Sequence, residues 1–242
     1  MVHRRPRVAV ISTGDELVPP GLPLGLAQIH ECNSFTLAAQ AAEAGAEVRR
    51  MGIAADTLPD LLALLREAVV WGDVVVLSGG VSVGAHDHVK AAVSGIGQLD
   101  VWRVAIKPGR PFAFGRAAVD GRPAYLFGLP GNPVSVFVTF ELFVRPVLRR
   151  LAGQAGSIGR PERIVRVAER IRGSSGRQTI ARVVLEPDPD RPDGLLARPS
   201  GGQDSHMLFS LATANGLLFV PPDTDLEAGA EAVAWELRGY DG

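Results

Sequence analysis

The run Asp73-Val74-Val75-Val76-Leu77, followed at once by Ser78-Gly79-Gly80-Val81-Ser82-Val83-Gly84-Ala85-His86-Asp87, constrains this chain more than any other stretch. A short apolar run with three valines fits a strand buried on both faces, the environment of a parallel sheet covered by helices. The glycines after it let the backbone turn and present N–H groups. Loops of that kind, at the carboxyl end of a parallel strand, are where open α/β sheets bind ligands. Asp87, flanked by His86 and His88, puts one carboxyl group at the far end. The stretch reads as a phosphate or oxyanion loop with a titratable group at hand.

The neighbouring segments repeat a strand–helix alternation. Arg7 to Thr13 predicts a first strand, closed by Gly14-Asp15-Glu16, and the Pro/Gly-rich Val18 to Gly25 predicts a loop. Asn33 is the expected N-cap of a helix to Ala44, with Gly45 as its stop. Glu47 to Ile53 predicts a strand, Thr57 to Trp71 an amphipathic helix, Asp87 to Val93 a helix and Leu99 to Ile106 a strand. Short strands are expected at Phe112 to Phe114 and Ala124 to Phe127. A helix then starts at Asn132-Pro133 and runs through Leu151, kinked or broken by Pro146. The alternation predicts a doubly wound, mostly parallel α/β domain over residues 1–153. Beyond it, Gln154 to Pro161 reads as a linker and helical periodicity is absent. Ile164 to Ala168, Thr179 to Glu186, Leu195 to Arg198, Gly216 to Val220 and Ala232 to Leu237 predict a small all-β domain, sandwich or barrel, over residues 154–242.

Composition excludes several function classes. The chain is 46% hydrophobic, enough to bury a core, and its formal charge of −1 argues against an electrostatic nucleic-acid binder. No apolar segment approaches the ~20 residues of a membrane span, and no signal-peptide pattern follows Met1. The single Cys32 excludes an intramolecular disulfide and suits a reducing compartment, so the cytoplasm is expected. Residues 1–153 hold 15 basic and 13 acidic groups against 10 and 13 afterwards, which favours an anionic ligand on the first domain. Arginine is used almost throughout. Lys90 reads as a helix-surface residue, whereas Lys107 follows a strand.

Four loops follow strands: Ser12 to Glu16, Gly52 to Asp56, Ser78 to Asp87, and Gly128-Leu129-Pro130-Gly131-Asn132-Pro133. A parallel sheet gathers them on one edge. They bring backbone donors and the acids Glu16, Asp56 and Asp87, while Lys107 and Arg110 supply positive charge across a Pro-Gly turn. Donors with cations bind oxyanions, and carboxylates hold Mg²⁺ or move protons. Any one of these acids alone would read as a cap or surface charge; their convergence makes the site. Gly80-Val81-Ser82-Val83-Gly84 also matches the G-x-S-x-G elbow of serine hydrolases. That elbow needs a helix directly after the serine, which Gly84 and Ala85 do not provide, and a histidine from the β domain such as His206. No P-loop or dinucleotide fingerprint is present. His86 and His88 lack a nearby third nitrogen or sulfur ligand, which argues against zinc.

S-T-G-D-E-L from Ser12, S-G-G-V-S-V-G-x-x-D from Ser78, A-I-K-P-G-R-P-F-A-F-G from Ala105 and G-L-P-G-N-P-V-S from Gly128 together resemble the molybdopterin molybdenumtransferase (MoeA/gephyrin E-domain) family. The likeness covers residues 7–152 and extends through shorter motifs after residue 160. It implies insertion of molybdenum from molybdate into adenylylated molybdopterin, with Mg²⁺-dependent release of AMP. By the same resemblance Asp87 is the essential acid, Glu16 and Asp56 are supporting acids, and Asp87 and Glu16 hold the Mg²⁺. Lys107, Arg110, Pro111 and Ser135 surround molybdate, joined by Arg182 and Ser205 from the β domain. Pro130 and Pro133 shape the pocket and Arg103 lies beside it. Ser12, Thr13, Gly14, Gly79, Gly80, Ser82, Gly84, Gly131 and Asn132 line the pterin side.

The chain departs from the family pattern in places. Arg110 stands where lysine is common, exchanging a point charge for a fork. Glu31-Cys32-Asn33 replaces Asp-Ser/Thr-Asn, and Ile180-Ala181-Arg182-Val183 replaces Phe-x-Arg-Gly. Family members also carry two domains ahead of the strand that opens this chain, so a homodimer or a separate chain supplying them is the expected macromolecular partner. The alternatives are a pterin- or anion-binding partner without full activity, and a molybdopterin adenylyltransferase, whose sheet and Gly-Gly loop are shared.

Overall fold

The computed structural model describes residues 2–80 and 88–237, the Trp102 side chain excepted. The chain divides into two units, Met1–Val104 with Pro111–Ile158, and Ala105–Arg110 with Gly159–Gly242.

In the first unit, β1 (Arg7–Thr13) is followed by β2 (Leu17–Val18), β3 (Ile29–His30), α1 (Asn33–Glu43), β4 (Glu47–Ala54), α2 (Leu58–Trp71), β5 (Val74–Ser78), α3 (His88–Ser94) and β6 (Gly97–Arg103). After β7 (Ile106–Lys107), which belongs to the second unit, come β8 (Pro111–Val119), β9 (Arg122–Leu129) and α4 (Pro133–Thr139). A π-helical segment (Phe140–Val144) then leads into α5 (Arg145–Leu151). The main sheet runs β4-β1-β5-β9-β8-β6, with the first four strands parallel and β8 antiparallel to both of its neighbours, β9 and β6. Val74, Val75, Val76 and Leu77 are wholly buried. Alternate residues of the strand feed two cores: Val75 and Leu77 pack with α2 and α3, while Val74 and Val76 pack with α1, α4 and α5. Removing each such side chain from water stabilises the fold by roughly 1.5–3 kcal/mol.

Four local outcomes differ from the sequence expectation. The two short strands expected near 112 and 124 are one long hairpin, turned by Asp120 and Gly121 at φ 50 and 75. This Asp-Gly pair is the two-residue turn that matches strand twist. The expected strand from Leu99 to Ile106 is split, because Ile106 and Lys107 leave the sheet to pair with the second unit. Asn33 is the first residue of α1 rather than its cap; Glu31 caps it instead, accepting from the Ser34 amide at 2.7 Å. Finally, Pro146 does not break the last helix. The turn before it widens, with the Arg145 amide reaching the Phe140 carbonyl, and this makes room for a ring that has no N–H.

The second unit holds β7, β10 (Glu162–Val167), β11 (Gln178–Pro187), β12 (Leu195–Pro199), α6 (Leu208–Thr213), β13 (Gly216–Val220) and β14 (Glu231–Glu236). Pairing runs β12-β10-β14-β13-β11, and β12 pairs back onto β11, so five strands close into a barrel around Val165, Val183, Leu218 and Ala234. The six-residue α6 was not expected; it is too short to write a helical period, and it buries only Ser210 and Leu211.

Candidate functional site

The carboxyl ends of β1, β4, β5 and β9 lie on one edge of the first sheet, as parallel pairing requires. Ser12, Thr13 and Gly14 end β1, Asp56 follows β4, Gly79 and Gly80 follow β5, and Pro130–Pro133 follow β9. The antiparallel register sets Arg103 opposite Pro111, which brings both to the same edge. Of the expected residues on this edge, Ser82, Gly84 and Asp87 lie outside the described residues.

Close backbone packing explains the two glycines. Gly79 and Gly80 have φ of +92 and +68. A Cβ on Gly79 would overlap the Thr13 carbonyl oxygen, and one on Gly80 would stand 2.6 Å from Val89 Cγ2 and 2.9 Å from Thr13 Oγ1. Only glycine meets both the conformation and the space. Among the described residues Thr13 Oγ1 is buried without a hydrogen-bond partner. The Gly79 amide donates to the Leu129 carbonyl at 3.1 Å, which joins the Gly-Gly loop to the last residue of β9.

A buried polar network holds the edge. Glu31 is 4% exposed; its Oε1 accepts from Ser12 Oγ at 3.0 Å and from the Ser34 amide, and its Oε2 accepts from Ser34 Oγ at 2.6 Å. Asn33 Nδ2 donates to Ser78 Oγ at 2.9 Å and to the Gly131 carbonyl at 2.7 Å. Neither Glu31 nor Asn33 was among the expected site residues. The signal was present as two polar residues around Cys32, but it reads as helix capping in sequence. Burial and the charge of Glu31 both push the Cys32 thiol up.

The acids are at the rim. Asp15, Glu16 and Asp56 are exposed, and the Asp56 amide donates to Asp15 Oδ1 at 2.9 Å. Among the described residues no three metal-ligating side chains converge. Mg²⁺ ordinarily keeps several waters and takes one or two carboxylates with substrate phosphates, and exposed Glu16 fits that donor set. Ser135 is buried in α4, and its carbonyl accepts from Thr139 Oγ1 at 2.7 Å.

The remaining expected residues belong to the second unit. Lys107 and Arg110 are exposed, and Lys107 pairs in register with Thr179 of β11 through a segment with a cis Lys107–Pro108 bond. Arg182 is fully buried. Its Nε donates to Ser210 Oγ at 3.0 Å, and its Nη2 donates to the carbonyls of Gly202 at 2.6 Å and Asp204 at 3.2 Å. It therefore braces the loop that carries Ser205. Burial pushes its guanidinium below the ordinary value, against the opposing charge of Asp204.

A separate cavity of about 420 Å³ opens at the amino end of the first sheet, between Tyr125, Leu151 and the Arg4–Asp73 pair. Arg4 forks onto Asp73 at 2.5 and 2.7 Å, and the Arg7 amide adds 2.8 Å.

Residues 9–150 match the family described as probable molybdopterin binding domain, and residues 165–237 match the MoeA C-terminal region (domain IV). The chain belongs to the MoeA family. A molybdopterin molybdenumtransferase 2 of Mycobacterium tuberculosis is 39% identical over 240 residues, which are 96% of this chain and 57% of that protein. A molybdopterin molybdenumtransferase of Nostoc sp. is 36% identical over 240 residues, 98% of this chain and 54% of that protein. Among solved structures, a molybdopterin biosynthesis MoeA protein from Pyrococcus horikosii superposes with a TM-score of 0.79 at 34% identity, covering 98% of this chain and 56% of that one. This MoeA-family chain thus spans a little over half the length of the curated relatives it matches. Its α/β unit followed by a β-rich unit is the arrangement the sequence motifs implied.

Proposed function

We propose that this chain acts in molybdenum cofactor biosynthesis as the catalytic portion of a molybdopterin molybdenumtransferase, inserting molybdenum from molybdate into adenylylated molybdopterin with release of AMP. The observation that carries the reading is the packing of Gly79 and Gly80 against Thr13. Two consecutive residues without side chains, held against the end of β1, leave backbone at this point of the sheet edge for a phosphate ester, and exposed Glu16 and Asp56 follow the neighbouring strands β1 and β4. The nucleotide-bearing pterin lies along Ser12–Gly14, Gly79–Gly80 and Pro130–Pro133 in this proposal. Molybdate, an oxyanion, is held by Lys107 and Arg110 with Ser205, and Arg182 supports the Ser205 loop. Asp87 is the essential acid. Bound Mg²⁺, with Glu16 among its donors, would offset phosphate charge as AMP departs. The proposed setting is the cytoplasm, with a second copy of this chain or a separate chain as its macromolecular partner.

The decisive experiment is calorimetry with molybdopterin-AMP, followed by a molybdate-dependent AMP-release assay on the wild type and on Asp87→Ala. Binding by both, with AMP release only from the wild type, is the expected result. Tight binding with no release from either would leave a pterin-binding module and overturn the enzyme reading.

A further inference from the structure

We propose that the connection from Glu31 to Ser34 is the positioning clip of the sheet edge, and that Asn33 fixes the distance between the Gly79–Gly80 loop and the Pro130–Pro133 turn. The connection reaches three adjacent strands. Glu31 holds the end of β1 through Ser12, while Asn33 holds the end of β5 through Ser78 and the turn after β9 through Gly131. Both N–H groups of the Asn33 amide are used, each on a different strand's end. Relative exposures of 8% for Asn33, 4% for Glu31, 1% for Ser12 and 2% for Ser78 leave little water to replace a lost partner.

The chemistry of the pair is specific. The Gly131 carbonyl has only lone pairs, so the residue facing it must donate. An aspartate at position 33 would set a carboxylate against a carbonyl oxygen. Asn33 is free for this task because Glu31 takes over the capping of α1. The clip acts through the backbone. It sets the positions of the backbone amides that would contact ligand, and misplacing such donors by about 1 Å can cost about a hundredfold in activity.

The ligand readout rests on the pterin-site reading proposed above, but a second readout does not. Asn33→Ala and Asn33→Asp are compared with the wild type by amide hydrogen exchange and by molybdopterin calorimetry. In both variants the Gly79 amide, bonded to the Leu129 carbonyl, should exchange roughly tenfold faster while amides in β1 and the second unit stay unchanged. Affinity for molybdopterin should fall roughly tenfold, and the shape-preserving Asn33→Asp should do no better than Asn33→Ala. Ser78→Ala gives a smaller effect of the same kind and keeps the test available should either Asn33 variant fail to fold. Wild-type exchange at Gly79 in the folded variants would overturn the clip, as would a wild-type-like Asn33→Asp. A wild-type protein that binds no molybdopterin would sink the pterin reading instead, with Gly79 exchange still deciding the role of Asn33.

Discussion

The Gly79 amide donates to the Leu129 carbonyl at 3.1 Å, so the loop after β5 is hydrogen-bonded to the last residue of β9, where the Pro130–Pro133 turn begins. Gly79 reaches that bond only at φ +92, beside the Thr13 backbone. Gly79→Ala should therefore destabilise the first unit by about 2–3 kcal/mol, through a strained backbone and an overlap that rigid strand atoms cannot relieve. Chemical denaturation of the variant checks this. A loss below the precision of such measurements would mean that the β1 edge yields more readily than the packing indicates.

Lys107 sits at a strand end with its ammonium exposed, in register with Thr179. Under the proposed function Lys107→Ala should raise the molybdate concentration needed for half-maximal AMP release by roughly tenfold or more, with molybdopterin affinity changed less than about threefold. Titrating each ligand separately makes the comparison. Equal losses for both would contradict the assignment of Lys107 to the oxyanion.

Arg166 hydrogen-bonds Asp188 with two nitrogens and also reaches Asp190, on one side of the barrel. The Arg166 hydrogen bonds outweigh burial and hold the Asp188 carboxyl down at about 2. Because the folded value lies below the unfolded one of about 3.9, the unfolded chain binds more protons between the two. The contribution is thus fully present above about pH 4 and lost as pH falls toward about 2. Thermal melts of the wild type should fall steeply across that window. Asp188→Asn should be less stable at neutral pH and flatter in acid, and parallel curves would rule the pair out as the cause.

Arg182 gives its guanidinium to two carbonyls and a hydroxyl inside the second unit. Arg182→Met keeps much of the side-chain bulk but leaves those acceptors unpaired, which should cost about 3 kcal/mol of stability. Molybdate use should fall along with order in the loop from Gly201 to Ser210. Limited proteolysis of that loop, beside the melting curve, reads both. An intact loop with lost molybdate binding would show instead that Arg182 acts on the ligand directly.

Much of the site was legible from local rules. Gly79 and Gly80 announced a turn, and the β-branched run before them announced a buried strand; both readings need only backbone sterics and periodicity. Asn33 departs from its expected capping role because a polar residue before an apolar periodic segment has the same sequence appearance whether it caps its own helix or reaches elsewhere. The sequence groups Lys107 with the first sheet because the stretch from Val101 to Ile106, apolar but for Arg103, does not show that its end pairs with β11. Asp120-Gly121 is a hairpin signal in the sequence, but the strand–helix alternation around it predicts separate short strands.

The sequence by itself determined the strand–helix alternation of the first unit, the β-rich second unit, the carboxyl-edge loops, the family and the residue types available for an anionic ligand. These follow from period, turn chemistry and motif, all of which act over a few neighbouring residues. The tertiary structure decided which loops are tied together and by what. Asn33 meets Gly131 across 98 positions of sequence, and Arg182 meets Gly202 across 20. Such pairs depend on strand order and burial, where each dry donor must find an acceptor. No local pattern specifies that partner.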